Sequence, residues 1–174
     1  MKYRTATILD AQRIAALHIE NWRETYRGSM LDAYLDHDIE LERPTHWQQR
    51  LSHPPPNMTL FLAEDGAKLC GFVCAFGNHH PKFGTLVENL HSHKSVRGLG
   101  VGKRLLGAAA DWSLTHYPNA GLYLDVLESN TAAQGFYAAL GGVHVEDRPW
   151  EPPGGGEVIE YSYYWADPSR LLLP

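Results

Sequence analysis

The chain has 174 residues, the size of one ordinary domain, and this length suffices to bury a core without disulfides or a metal. Hydrophobic residues make up 44% and charged residues 20%, and no apolar run approaches the roughly 18 residues that span a bilayer. A net charge of -5 and an isoelectric point near 6.0 weigh against nucleic acid as a partner, because phosphate binding usually requires a basic patch. A cationic small molecule or peptide amine suits this charge better.

We predict a single domain over residues 1–174. Its first residues alternate like a strand and lack the apolar core of a signal peptide, so we expect a cytoplasmic protein. Cys70 and Cys74 lie about 13 Å apart if they belong to one strand, which is too far for a disulfide. We expect both to be small buried hydrophobic residues in a reducing compartment.

The first half of the chain predicts a strand, two helices and a hairpin. Lys2 to Ile8 alternates polar and apolar positions, and Asp10 then offers an N-cap for a helix. A second, less regular helical region runs from Met30 to Leu51 and is interrupted by Pro44. The residues from Glu64 to Ala67 form the predicted hairpin turn between two apolar segments. These segments are residues 60–63 and 68–76.

The second half predicts strands that alternate with helices. A polar loop over residues 77–84 leads into a strand, a helix from Val101 and a further strand. Asn130 offers an N-cap for a helix through Leu140, and Gly141-Gly142 should end it in the left-handed conformation. The whole chain is thus predicted to have about seven strands and four helices, arranged as an α/β or α+β sandwich. The predicted strands of this half are residues 85–93, 121–127, 143–148 and 158–165.

The most informative stretch is a turn with glycines at 98, 100 and 102 between a strand and an amphipathic helix. Such a turn exposes backbone N–H groups at a helix N-terminus, where unsatisfied donors and the helix dipole favour an anion. Glycine has no Cβ and allows close approach, and Arg97 and Lys103 add positive charge. The turn is therefore either a phosphate cradle or a tight turn that only lets a strand and a helix pack closely.

Two other glycine-rich phosphate motifs do not fit this turn. A nucleotide P-loop needs a hydroxyl residue after its lysine, whereas Arg104 follows Lys103 here. A dinucleotide fingerprint needs a third glycine where Lys103 stands, although Asp125 lies at a suitable distance for the ribose-binding acid. Both motifs therefore fail.

The run Arg97-Gly98-Leu99-Gly100-Val101-Gly102 resembles R/Q-x-x-G-x-G/A, the acetyl-CoA pyrophosphate loop of the Gcn5-related N-acetyltransferases (GNAT). The segment from Asn130 to Gly141 resembles the family's N-x-x-A-x-x-F-Y-x-x-x-G motif and begins 32 residues after Gly98. Near the N-terminus, Trp22 to Gly28 resembles a W-x-x-x-Y-x-G stretch of one large branch. The order of elements agrees too, so the resemblance covers nearly the whole chain.

The resemblance implies a mixed, mostly antiparallel sheet whose central strands splay apart to hold the pantetheine arm of acetyl-CoA. Its backbone around His91 would hydrogen-bond the arm as an added strand would. The glycine loop would hold the pyrophosphate, and Tyr137 would stand near the thioester sulfur. The residues predicted to bind acetyl-CoA are Leu90, His91, Ser92, Arg97, Gly98, Leu99, Gly100, Val101, Gly102, Lys103, Asn130 and Tyr137.

Acetyl transfer to an amine needs a neutral amine, a stabilised oxyanion and a proton for the departing thiolate. Tyr137 is the predicted acid, because a phenol has a pKa near 10, close to that of an alkyl thiol. The alternative is an ordinary core tyrosine. Glu88 is the predicted base by family resemblance, and its alternative is a solvent-facing strand residue. His91 and His93 are alternative bases, because histidine titrates near neutrality.

No metal is expected, because His79-His80 and His91-x-His93 have no cysteine or carboxylate at a recognised ligand spacing. Neither cysteine has the charged neighbours of a nucleophile, so we predict direct transfer in a ternary complex. The competing interpretation is a non-catalytic acyl-CoA sensor or regulatory module, which would not need Tyr137 and Glu88.

The acceptor is predicted to be a primary amine of a small molecule or peptide, bound between the first two helices and the last hairpin. Aromatic faces and carboxylates suit a protonated amine. The candidate residues are Trp22, Glu24 and Tyr26, with Tyr34, Asp36 and Trp150 as further candidates. A homodimer is common in the family, but no residue of this sequence marks an interface or identifies the acceptor.

Overall fold

The fold of residues 1–172 is described by a computed structural model of the chain. Its seven strands are β1 (Lys2–Thr5), β2 (Met58–Asp65), β3 (Lys68–His80), β4 (Gly84–Ser92), β5 (Leu122–Leu127), β6 (Val143–Trp150) and β7 (Val158–Trp165). Its four α-helices are α1 (Ala11–Thr25), α2 (Ile39–Ser52), α3 (Val101–His116) and α4 (Thr131–Ala139). A π-helix (Tyr34–Asp38) leads directly into α2. The predicted number and order of elements are confirmed.

All seven strands form one sheet in the order β1-β2-β3-β4-β5-β7-β6. Neighbouring strands are antiparallel except for β4 and β5, which are parallel. These two strands pair only at Thr85 with Leu122 and at Leu86 with Tyr123. Beyond these residues β4 and β5 separate, which confirms the predicted splay of the central strands.

Helices cover both faces of the sheet. On one face, α3 buries Leu105, Leu106 and Ala109 against the strands, and α4 packs beside it. On the other face, α1 and α2 bury Ile14 and Trp47 against β2 and β3. No helix in residues 1–172 is both long and apolar enough to cross a membrane.

Three local predictions are wrong, because tertiary contacts override the conformations that the local sequence favours. Pro44 lies inside α2 without interrupting it, since the fully buried Trp47 holds the next turn against α1. The predicted polar loop over 77–84 is shorter, because β3 continues to His80, which pairs with Gly84. Asp10 precedes α1 but its side chain does not cap the helix.

The Asp10 carboxylate instead belongs to an ionic network that joins β1, α1 and β2. It accepts hydrogen bonds from both terminal nitrogens of Arg4, at 2.7 and 2.8 Å, and from the amide of Thr7 at 2.9 Å. Glu64 accepts from Arg4 at 2.8 and 2.9 Å and from Arg13 at 2.8 Å. Asp10 is only 4% exposed, and Arg4 holds the pKa of its carboxyl well below the ordinary value.

We expect Asp10→Ala to lower the free energy of unfolding by about 2 kcal/mol, because Arg4 loses its best-buried partner but keeps Glu64. Urea denaturation measures this difference. Because the folded-state pKa of Asp10 is lowered, its contribution is present above about pH 4 and is lost as the pH falls below it. Asp111 is exposed on α3, and the control variant Asp111→Ala should change the free energy of unfolding by less than about 0.5 kcal/mol. An equal effect of both substitutions would contradict the role of the network.

Candidate active site

The separation of β4 from β5 opens a cavity of about 1480 Å³. Its walls come from the C-terminal end of α1, from β4, from the glycine turn, from the start of α4 and from the β5-β7-β6 side of the sheet. The predicted cofactor-binding residues all line this cavity except Leu99, whose side chain is 71% exposed to solvent. The amide of Leu99 donates to the carbonyl oxygen of Val96 at 3.2 Å.

The other predicted residues divide between the cavity and the surrounding structure. The predicted base and four acceptor candidates line the cavity: Glu88, Trp22, Glu24, Tyr26 and Trp150. Tyr34 does not line it, because it is buried and its hydroxyl donates to Glu42 at 3.0 Å. Asp36 does not line it either, because it forms an ion pair with Arg27.

The glycine turn has the backbone geometry of an open anion cradle. Gly98 and Gly100 have φ angles of 78° and 79°, in the left-handed region that favours glycine. A Cβ atom added at either residue would meet nothing within 4 Å, so the space in front of them is free. The close-packing alternative therefore does not explain these two glycines. Gly100 directly precedes α3 and offers no capping side chain, so the first amides of the helix remain available to a ligand.

Arg97 beside this turn is held by Glu24 from the end of α1. Its two terminal nitrogens donate to the two carboxylate oxygens of Glu24 at 2.6 and 2.7 Å. This pairing lowers the pKa of Glu24. Glu24, a candidate acceptor-binding residue, thus lies at the cofactor end of the cavity, where it would compete with an incoming anion for Arg97.

The β4 wall combines an unpaired edge with a β-bulge at Glu88. Cys74 of β3 pairs with Asn89, whereas the next residue, Ala75, pairs with Val87, so Glu88 is the extra residue. Its carboxylate accepts hydrogen bonds from two nitrogens of Arg50. The following residues, 90–92, pair with β3 alone and leave their other edge open to the cavity. An extended ligand could add to that edge as a strand does.

Tyr137 lines the cavity although its ring also belongs to the core. It is 8% exposed and packs against Phe136, Tyr163 and Trp165, with ring centroids 5.4, 5.9 and 6.2 Å away. Burial raises the pKa of Tyr137 to about 12, so the phenol stays protonated at neutral pH. A protonated phenol in a cavity can donate to a leaving group.

The predicted N-cap of α4 is confirmed, since Asn130 accepts from the amide of Ala133 at 3.2 Å through its side-chain oxygen. The side-chain amide nitrogen of Asn130 therefore remains the group that it can offer to a ligand. The helix ends at Ala139, and Gly141 just after it adopts a φ of 82°, the left-handed conformation that the sequence predicts.

A cluster that sequence reasoning missed lies on the opposite wall. Glu160 of β7 and Asp125 of β5 both form ion pairs with Arg148 of β6. The guanidinium nitrogens of Arg148 lie 3.2 Å from Glu160 Oε2 and 3.4 Å from Asp125 Oδ2. Ser162 donates to Asp125 at 2.5 Å. Burial and the nearby Asp125 raise the pKa of Glu160 to about 7. In the sequence, the polar residues Glu160 and Ser162 stand out within an otherwise apolar strand, which is the one sign of this cluster. No local motif predicts that they lie beside Asp125.

The histidines have individual structural surroundings. His91 lies with its ring centroid 4.7 Å from that of His18, and burial lowers the pKa of His91 to about 4. His91 is therefore neutral and a weak base at pH 7. His93 accepts from the amide of Ser95 at 3.1 Å, and His79 contacts the Tyr123 hydroxyl at 2.6 Å. His80 accepts from two amides of its own turn.

Neither cysteine lines the cavity. Cys70 and Cys74 are buried, free thiols, as expected from the sequence. Burial raises the pKa of the Cys74 thiol to about 12, which disfavours the nucleophilic thiolate. Within residues 1–172, no three histidine, cysteine or carboxylate side chains are grouped so that they could hold a metal ion.

The motifs of this cavity match a known family. The model of the acetyltransferase (GNAT) family matches residues 15–142, which include the glycine turn and α4. The chain belongs to the GNAT family. The predicted family and its acyltransferase class are thereby confirmed.

Individual GNAT relatives agree with this assignment. A protein named "Probable N-acetyltransferase" from Mycobacterium tuberculosis is 29% identical over 171 residues, which cover 94% of this chain and 92% of that protein. The GCN5-related N-acetyltransferase structure from Rhodopseudomonas palustris has a TM-score of 0.73 at 16% identity and covers 94% and 93% of the two chains. The structure of yncA from Salmonella typhimurium with its cofactor acetyl-CoA has a TM-score of 0.65 at 15% identity and covers 95% and 92%. At such identities the two structures show that the GNAT fold is shared.

We expect Glu24→Gln to tighten the binding of inorganic pyrophosphate two- to threefold. In the wild type Arg97 must give up its ion pair with Glu24 to bind the ligand, and in the variant it has no such pair to lose. An exposed ion pair is worth about 0.5 kcal/mol, which corresponds to this factor. Isothermal titration calorimetry measures the dissociation constant. Glu20→Gln, one turn earlier and outside the cavity, removes the same charge and serves as the control. Equal tightening by both variants would show a general charge effect instead.

Proposed function

We propose that this GNAT chain transfers an acetyl group from acetyl-CoA to a primary amine of a small molecule or peptide, by direct transfer in a ternary complex. The observation that carries the proposal is the open glycine cradle at the mouth of a cavity whose β4 wall is an unpaired strand edge. The acetyl-CoA complex of the similar yncA structure supports the donor. The free cysteines suit a reducing compartment such as the cytoplasm.

The residues present fit acetyl-CoA along the length of the cavity. The amides from Gly98 to Gly102, apart from that of Leu99, would hold the pyrophosphate, with Arg97 and Lys103 as the adjacent cations. The backbone of residues 90–92 would hydrogen-bond the pantetheine arm, and the side-chain amide of Asn130 would contact it from α4. When bound, acetyl-CoA supplies the thioester carbon that the amine attacks.

The chemistry converts an ammonium ion and a thioester into an amide, a thiol and one proton. The ammonium first gives a proton to a base, and the nitrogen lone pair then forms the N–C bond. As the C–S bond breaks, Tyr137 gives its proton to the thiolate sulfur, and the second proton of the amine restores the phenol. The buried cysteines support direct transfer rather than an acyl-enzyme. None of these steps calls for a metal.

Glu88 is the base that family resemblance predicts, and its position on the cavity wall is compatible with that role. Its two oxygens are engaged by Arg50, so it would have to accept a proton while ion-paired. The acceptor's cationic amine would meet aromatic faces from Trp22, Tyr26 and Trp150, which also line this cavity.

Acetyl-CoA at about 100 times its dissociation constant should stabilise the wild type by about 2.7 kcal/mol and raise its midpoint of thermal unfolding. Gly100→Glu should abolish this rise, because the new carboxylate fills the cradle and repels phosphate. Gly135→Glu on the exposed side of α4 is the matched control, since it adds the same side chain where nothing lies within 4 Å. The control should keep the rise.

A wild type that acetyl-CoA does not stabilise would contradict the proposed donor. A wild type that binds acetyl-CoA but releases no CoA with any of a panel of primary amines would favour the acyl-CoA sensor.

Tyr137→Phe should lower kcat by about 100-fold or more and leave the dissociation constant of acetyl-CoA within about twofold, because it removes a proton donor that acts in the transition state. Release of CoA with the best amine of the panel measures the effect. Tyr163→Phe removes a neighbouring hydroxyl that does not line the cavity and should leave kcat unchanged. An unchanged kcat in Tyr137→Phe would assign Tyr137 to the core alone.

A further inference from the structure

The cluster of Glu160, Asp125 and Arg148 faces the cavity from the side opposite β4. Alternate residues on β5 and β7, such as Val126 and Tyr163, are buried in the core beneath α3. Because side chains alternate along a strand, Asp125 and Glu160 point to the other face of the sheet, and both line the cavity. Their position places two carboxylates where the acceptor is expected.

When both carboxylates are ionised, the charges of this cluster do not balance. Two carboxylates share one arginine, and the Arg148 side chain is itself 46% exposed and therefore partly solvated. Arg148 contacts Glu160 only at Oε2, and no hydrogen bond within residues 1–172 uses Oε1. Since Glu160 is 9% exposed, a second cation beside Oε1 would offset the surplus negative charge. A protonated amine is such a cation.

Glu160 lines the same cavity as the proposed acid, Tyr137. Tyr26, at the end of α1, lines the same cavity as Tyr137 and Glu160. Burial raises the pKa of Tyr26, and negative charge on Tyr137 or Glu160 raises it further. The cavity thus contains both the proposed acid and this carboxylate. The titratable and charged groups that act on Glu160 are Asp125 from β5, Arg148 from β6 and Tyr26 from the end of α1, and Tyr137 from α4 lines the same cavity.

We propose that Glu160 receives the ammonium group of the acceptor at Oε1 and takes its first proton, so that Glu160 is the general base of the reaction. This inference rests on the proposed function. The proton passes from nitrogen to the carboxylate, the neutral amine attacks the thioester, and Glu160 returns the proton to solvent after the amide leaves. Glu88 is less suited to this step, because Arg50 engages both of its oxygens.

The protonation of Glu160 adds a pH signature to this assignment. Burial and Asp125 raise the pKa of Glu160 to about 7, whereas an ordinary glutamate titrates near 4.3. The base must be deprotonated before the amine binds and reacts, so the rate should rise as the pH rises through about 7. A base with this pKa takes a proton from an ammonium ion more readily than an ordinary carboxylate does.

The first experiment follows the glutamate carboxyl groups of the full chain by ¹³C NMR during a pH titration. We expect one carboxyl that titrates near pH 7, absent in Glu160→Gln and present in Glu146→Gln, which alters an exposed residue of β6 outside the cavity. Benzylammonium, an aromatic cation suited to the wall formed by Trp22 and Trp150, should lower the pKa of this carboxyl. No carboxyl titrating above pH 6, or no effect of benzylammonium on it, would overturn the assignment.

The second experiment measures CoA release from acetyl-CoA with benzylamine, or with the best amine of the panel, between pH 5.5 and about 9. Glu160→Gln should lower kcat/KM at pH 7 by about 100-fold and remove the rise near pH 7, with acetyl-CoA affinity within about twofold of wild type. That affinity shows that the variant is folded. If Glu88→Gln removes the rise and Glu160→Gln keeps it, Glu88 is the base.

Different results would contradict the proposed function and the assignment of Glu160 as the base. A wild type that does not bind acetyl-CoA contradicts the proposed function, while the NMR titration still tests the amine site at Glu160. Normal acetyl-CoA binding and turnover, with an unaltered pH profile in Glu160→Gln, contradicts the assignment of Glu160 alone.

Discussion

The early end of the pairing between β4 and β5 is the constraint on which the rest of the structure depends. The two strands start in close contact, because a Cβ atom at Gly84 would lie only 2.5 Å from the carbonyl oxygen of Gly121. After two pairs of residues they separate, and the bulge at Glu88 adds local twist to β4. This separation creates both the cavity and the unpaired edge, and α3 begins at its mouth with its N-terminal amides exposed. A continuous sheet would leave no room for a cofactor at this position.

Electrostatics divide the cavity into two ends. At the cofactor end, Arg97 is neutralised by Glu24, and the β4 wall pairs Arg50 with Glu88. At the other end, Arg148 is outnumbered by Asp125 and Glu160. The first end can accept an anion by exchanging ionic partners, whereas the second has surplus negative charge when Glu160 is ionised. The resulting polarity suits the anionic donor and the cationic acceptor that we propose.

Tyr137 lines this cavity and is also held by the core. Tyr137 is fixed by Phe136, Tyr163 and Trp165 in the core below α3, so its hydroxyl has little freedom to turn away. Burial that keeps a phenol protonated also keeps a carboxylic acid from ionising, and both effects have one cause, the loss of solvating water. The same desolvation therefore raises the pKa of both Tyr137 and Glu160.

The sequence by itself determined the features that depend on neighbouring residues. The glycines at 98 and 100, the Asn130 cap and the Gly141 terminus follow from backbone conformations and hydrogen bonds within a few residues. Only the tertiary structure decided which distant groups meet. Arg97 binds Glu24, which is 73 residues away in the sequence. Glu160 of β7 lies beside Asp125 of the neighbouring strand β5. The Asp10 side chain binds Arg4 instead of capping α1. Such contacts follow from strand register and helix packing, so no local pattern encodes the charge balance of the site.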